Sequence, residues 1–113
     1  MDIQETKLKG VYLITPQIFG DERGWFMESW SRRKFEAAGI QVDFVQDNQS
    51  FSAAKGTLRG LHYQLNPMCQ AKLLRCTRGE IFDVAVDIRR GSPQYAQWMG
   101  VRLSAENKEQ LFI

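Results

Sequence analysis

Apolar residues in this chain arrive in short bursts, each closed by a turn signal, and that rhythm limits what it can fold into. Val11-Tyr12-Leu13-Ile14 stops at Pro16, and Trp25 to Trp30 follows the turn-like Gly20-Asp21-Glu22-Arg23-Gly24. Leu58 to Gln64, Leu73 to Cys76, Ile81 to Arg89 and Trp98 to Leu103 read as further strands. Thr77-Arg78-Gly79-Glu80 reads as the turn joining the second of these to the third. Only one stretch reads as helix: Ser31 can cap Arg32 to Ala38, and Gly39 supplies a left-handed stop. Strands at this spacing predict an all-β antiparallel sandwich or barrel with one short helix.

A chain of 113 residues holds one domain, here residues 1–113, with a single modest core. Fifteen basic against thirteen acidic residues leave a net charge of +2. That is too weak a field to predict a nucleic-acid partner, though it suits a site for a small anion. One histidine and two cysteines, Cys69 and Cys76, cannot assemble a zinc site or a disulfide framework, so no metal is expected. Met1-Asp2-Ile3-Gln4-Glu5 is not a basic region followed by an apolar run, and no stretch approaches the roughly 18 apolar residues of a membrane span. The expectation is a cytoplasmic protein without a membrane partner.

Ile81 to Arg89 is the most informative strand. Alternation puts Phe82, Val84, Val86 and Ile88 on one face, which reads as the core stripe. Ile81, Asp83, Ala85, Asp87 and Arg89 take the other. A mid-strand Asp83 is either solvated on an outer face or lines a polar cavity inside a barrel. At the far end, Lys108-Glu109-Gln110-Leu111-Phe112-Ile113 closes on three apolar residues, where termini are usually polar. That pattern predicts a strand just begun, in a domain incomplete at the C-terminus.

Chemistry concentrates around His62. A lone strand histidine is usually structural, but Arg59 lies three residues before it, Gly60 interrupts the strand, and Lys72 follows in the next element. A bulge at Gly60 would bring residues 59 and 62 onto one face. Imidazole, ammonium and guanidinium could then serve as base, oxyanion stabiliser and phosphate clamp.

The motifs Gly20-Asp21-Glu22-Arg23-Gly24-Trp25-Phe26-Met27-Glu28-Ser29, Phe44-Val45-Gln46-Asp47-Asn48, Leu58-Arg59-Gly60-Leu61-His62-Tyr63-Gln64 and Gln70-Ala71-Lys72-Leu73 resemble the dTDP-4-dehydrorhamnose 3,5-epimerase family. Gly79 to Arg89, Gly91-Ser92-Pro93, Trp98-Met99-Gly100 and Leu103 to Asn107 extend the likeness over nearly the whole chain. The resemblance implies a cupin-type jelly roll, dimeric, that inverts C3 and C5 of a dTDP-linked 4-keto-6-deoxy sugar without cofactor or metal. It implies His62 as general base and Lys72 as the partner of the C4 enolate oxygen. Arg59 would hold pyrophosphate, and Gln46, Asp47 and Asn48 would shape the nucleotide-sugar pocket. Arg23, Phe26 and Glu28 would bind nucleotide on a segment that crosses to the partner subunit of a homodimer. The family's acid tyrosine, a second histidine and an orienting carboxylate would fall beyond residue 113.

Three rivals stand beside this reading. A metal-dependent cupin needs a histidine cluster, and the chain has His62 alone. A sugar-binding jelly roll without chemistry would keep its affinity when His62 is replaced. A 3-epimerase or 3,4-ketoisomerase of the same nucleotide sugars would share most of these residues.

Overall fold

In the computed structural model, which describes residues 1–113, the last strand of the chain lies in the middle of the main sheet. That sheet comprises β1 (Asp2–Glu5), β2 (Tyr12–Thr15), β5 (Leu73–Arg75) and β8 (Gln110–Phe112), in the order β1-β2-β8-β5. All its pairings are antiparallel, with Leu13 and Leu74 both facing Leu111 across the ladder. β3 (Ile18–Asp21) and β4 (Gly24–Met27) form a separate hairpin, and β6 (Glu80–Val86) pairs with β7 (Trp98–Ser104) in a second ribbon. The helix α1 spans Arg32–Ala37. No helix is long and apolar enough to cross a membrane.

Period-two alternation divides the main sheet into two apolar faces, each covered by a different element. Leu13, Leu74 and Leu111 face the β6–β7 ribbon, where Leu8, Val11, Ala85 and Leu103 complete one buried cluster. On the other face Ile14 and Phe112 meet Phe35 of α1 and Ile40 just after it. The rings of Tyr12, Phe35 and Phe44 lie tilted or edge-on around Phe112, at centroid distances of 6.3, 6.2 and 6.5 Å. Gln110 is buried on that same face, and its amide donates to the Ser29 carbonyl at 2.7 Å, tying the segment before α1 to the sheet.

Several sequence expectations hold here. The chain is an all-β antiparallel sandwich with one short helix, and Gly39 ends that helix at φ +84°. Ser31 stands at the N-cap, but its side chain caps nothing; its carbonyl accepts from Phe35 N–H at 3.0 Å. The strand expected from Trp25 to Trp30 ends at Met27.

Three expectations are corrected. Leu58 to Gln64 is not a strand, because no neighbouring backbone in residues 1–113 offers it a ladder. Gly60 does turn the chain, at φ +97°, within an unpaired segment rather than as a strand bulge. Thr77 to Glu80 does not close a hairpin either: β5 pairs with β8, and the turn carries the chain from one sheet to the other.

The faces of the 81–89 strand are also inverted. Ala85 and Asp87 are buried, whereas Phe82 is 67% exposed and lies against Gly100 on the outer surface. Alternation separates two faces but does not say which one meets the opposite sheet. The small Ala85 permits close approach to Leu74 and Leu111. Asp87 is neutralised where it is buried: Arg89 donates to it through its backbone N–H and through Nε and Nη2, each at 3.0 Å, and the Ser92 hydroxyl at 2.6 Å. Arg89 Nη2 also donates to the Lys9 carbonyl at 3.1 Å, and Gln94 clasps the same turn through Lys7 and Lys9. The β6–β7 connection is thereby fastened to the β1–β2 connection.

Two stability results follow from this architecture. Leu111→Ala removes a fully buried side chain and costs about 2–5 kcal/mol in denaturant unfolding, while Val45→Ala, at 94% exposure, stays within about 0.5 kcal/mol. The Arg89 and Ser92 hydrogen bonds hold the Asp87 carboxyl well below the usual carboxylate range. A depressed folded-state pKa contributes stability above the unfolded value, near 4, that is lost as pH falls through the folded one. Stability measured from pH 7 downward therefore declines below about pH 4, and Asp87→Asn flattens that decline.

Candidate functional site

Lys72 lies at the seam between the two sheets. Its N–H donates to the Ile113 carbonyl at 2.8 Å and its carbonyl accepts from Ile113 N–H at 2.9 Å, extending the β5–β8 ladder by one rung. Alternation then puts Lys72 on the face of Leu74, toward the β6–β7 ribbon. Opposite it, Asp83 shares a face of β6 with Ala85 and pairs with Val101 of β7. Ala85 and Leu74 belong to one apolar cluster, and two residues before each of them stand Asp83 and Lys72.

The Asp83 carboxyl is in an unusual state. Its Oδ2 is shut off from solvent and accepts no hydrogen bond. Burial raises its pKa, opposed by the Val84 backbone N–H and by the charge of Lys72. Asp83 shares the inward face of Ala85, so the solvated outer-face reading does not hold. Asp83 was legible as a mid-strand acid, but only the opposing sheet shows what it faces.

His62 and Arg59 occupy the long connection between α1 and β5, which contains no strand. Across residues 42–71 a single backbone hydrogen bond forms within the segment, from Met68 N–H to the Leu65 carbonyl at 2.9 Å. Both side chains are exposed. Arg59 donates to the Ser52 hydroxyl at 3.1 Å and to the Phe51 carbonyl at 3.2 Å, and His62 Nδ1 folds back beside Gly60. No hydrogen bond or ion pair joins Arg59, His62 and Lys72. Gln46 and Asn48 bond each other at 3.1 Å, with the exposed Asp47 between them. Flanking them, Val45, Phe51, Leu58, Leu61 and Tyr63 are all largely exposed.

The hairpin β3–β4 presents a different surface. Phe19, Asp21, Arg23, Trp25 and Phe26 line an open cleft of about 370 Å³. Asp21 accepts from the Arg23 backbone at 2.9 Å and from its guanidinium, which lowers the carboxyl pKa and fixes the arginine at the tip. Phe26 is 69% exposed, so core packing does not account for it. Glu28 pairs with Lys34 of α1 at 2.7 Å, and that partner pulls its pKa down. Lys108 lies over the Trp25 ring at 4.7 Å, linking the hairpin to the turn before β8. A guanidinium beside exposed aromatic rings suits a phosphate joined to a planar base. No group of three His, Cys, Asp or Glu side chains stands close enough to hold a metal ion.

This arrangement has known counterparts. The sequence profile described as dTDP-4-dehydrorhamnose 3,5-epimerase matches residues 5–113. A protein of that name from Shigella flexneri is 58% identical over all of this chain and 62% of its own length. The crystal structure of the Bacillus anthracis dTDP-4-dehydrorhamnose 3,5-epimerase with TDP and pyrophosphate bound superposes with a TM-score of 0.95. It is 46% identical, over 99% of this chain and 64% of that one. A Legionella pneumophila 3,5-epimerase in complex with dTDP-4-keto-L-rhamnose gives a TM-score of 0.90 at 52% identity, over 99% of this chain and 59% of that one. The fold is thus the cupin-type jelly roll of these structures. Within that class the chain belongs to the dTDP-4-dehydrorhamnose 3,5-epimerase family. It spans about three fifths of the length of these relatives.

Amide hydrogen exchange reads the two kinds of site segment directly. Amides of Leu58 to Gln64 exchange close to the unprotected rate, while those of β8 are protected. Protection of Leu58 to Gln64 equal to that of β8 would show a paired strand.

Proposed function

We propose that this chain carries the proton-abstracting part of an epimerase that inverts C3 and C5 of dTDP-4-dehydro-6-deoxy-D-glucose, giving dTDP-4-dehydro-L-rhamnose. The observation that carries the reading is the family match over residues 5–113, a span that includes Arg59, His62 and Lys72. The relatives' bound TDP, pyrophosphate and dTDP-4-keto-L-rhamnose agree with it.

Chemistry assigns the parts. Protons at C3 and C5 are α to the C4 ketone, so each leaves as its electron pair moves through the carbonyl to form an enolate. His62 is the base, and the Lys72 ammonium meets the oxygen on which the charge develops. Delivery of a proton to the opposite face inverts the carbon; the family resemblance gives that task to a tyrosine in the part of the relatives that this chain does not span. No electrons leave the sugar, so the reaction needs no redox cofactor. Arg59 holds pyrophosphate, Gln46, Asp47 and Asn48 shape the sugar-nucleotide pocket, and Arg23, Phe26 and Glu28 take the nucleotide.

The exposed apolar hairpin supports a homodimer in which residues 23–28 cross to the partner subunit. Phe19, Trp25 and Phe26 leave a large apolar surface on a two-stranded ribbon, an arrangement that a second copy would cover. A nucleotide-linked sugar substrate suits the cytoplasm.

Deuterium wash-in from solvent into C3 and C5, followed by NMR in the full-length polypeptide, tests these roles. His62→Ala slows exchange by roughly 10²–10⁴ and Lys72→Ala by roughly 10²–10³. Arg59→Ala acts chiefly on KM, because phosphate lies remote from the reacting carbons. Wild-type exchange in the His62 variant would make His62 structural and end this reading. Exchange at C3 alone in the wild type would make the enzyme a 3-epimerase.

A further inference from the structure

We infer that Asp83 is a positioning residue for Lys72, a role that rests on the epimerase reading above. Three features lead there. Alternation puts Asp83 and Lys72 on the facing sides of one seam, each two residues from a member of the same apolar cluster, Ala85 and Leu74. Asp83 Oδ2 is enclosed yet accepts no hydrogen bond, the condition of a buried acceptor that awaits a donor. Lys72 is half-buried and takes part in no ion pair, although five other cations of the chain, Arg23, Arg32, Lys34, Arg89 and Arg102, are paired.

Their chemistry is complementary. A substrate closing over Lys72 removes water from the ammonium, and loss of water favours the neutral amine, which stabilises an enolate poorly. A carboxylate across the seam opposes that loss and aims the Nζ. Met99, Val101 and Leu103, which share the inner face of β7, give the pair an apolar wall. Burial and the Lys72 charge act on Asp83 in opposite senses, so the acid reports on the lysine. Asp83 touches no reacting atom; it acts through Lys72.

Two measurements test this. In the chain itself, labelled at aspartate carboxyl carbons, the Asp83 titration midpoint moves to higher pH when Lys72→Met removes the ammonium. An unchanged midpoint overturns the coupling. In the full-length polypeptide, Asp83→Asn lowers kcat for C3 and C5 proton exchange by about tenfold or more with KM unchanged, short of the roughly 10²–10³ expected for loss of Lys72 itself. Asp83→Glu, which keeps the charge, regains part of that loss. Wild-type kcat in Asp83→Asn overturns the positioning role. If the midpoint shifts but Lys72→Ala exchanges at the wild-type rate, the pair exists and the enolate role of Lys72 fails instead.

Discussion

β8 is three residues long, and both halves of the core depend on it. It hydrogen-bonds to β2 on one side and β5 on the other, so without it the main sheet falls into a β1–β2 hairpin and a lone strand. Its alternation serves both faces at once. Leu111 joins the cluster under the β6–β7 ribbon, and Phe112 joins the cluster under α1. A fully buried leucine or phenylalanine contributes about 1.5–3 kcal/mol, so this short strand is a large fraction of a marginal total. Its continuation through Ile113 also fixes the backbone of Lys72, which joins the core to the candidate site.

The candidate site divides according to that scaffold. Lys72 and Asp83 stand on paired backbone, each two residues from the packed Leu74 and Ala85. His62, Arg59 and Gln46 to Asn48 lie on a connection whose backbone makes almost no bonds of its own. Arg23 and Phe26 are on a hairpin that packs mainly on itself and on Lys108. The backbone of Lys72 is therefore fixed by a ladder, whereas His62, Arg59 and Gln46 to Asn48 are held by few bonds. Val45, Phe51, Leu58 and Leu61 leave that segment with a large exposed apolar surface.

How far the sequence could be read varies with what each signal encodes. Short strands closed by turn residues made the all-β class plain, and Gly39 marked the helix end because only its backbone takes φ +84° without strain. Leu58 to Gln64 has strand composition, but a ladder needs a second backbone, and nothing local in those residues says whether one is present. The inversion on β6 has the same origin. Phe82, Val84 and Val86 are the more apolar set, yet the opposing sheet meets Ala85, and the buried Asp87 is tolerated through Arg89 and Ser92, which alternation does not reveal. Asp83 was visible as an acid out of place; its relation to Lys72 depends on the connection between sheets through Thr77 to Glu80, which had read as a simple hairpin turn. The motif residues Arg59, His62 and Lys72 were legible as chemistry, whereas their mutual geometry is not a property of the sequence segment that carries them.

One ligand is expected to engage three separate parts of the chain: hairpin, connection and seam. The most direct test is an amide and side-chain NMR titration of the full-length polypeptide, first with thymidine diphosphate and then with the dTDP-4-keto sugar. The nucleotide should shift Arg23, Phe26 and Arg59, and the sugar should additionally shift His62, Lys72 and Asp83. Shifts confined to residues outside the hairpin, connection and seam, or a sugar that leaves His62 and Lys72 unmoved, would contradict the account.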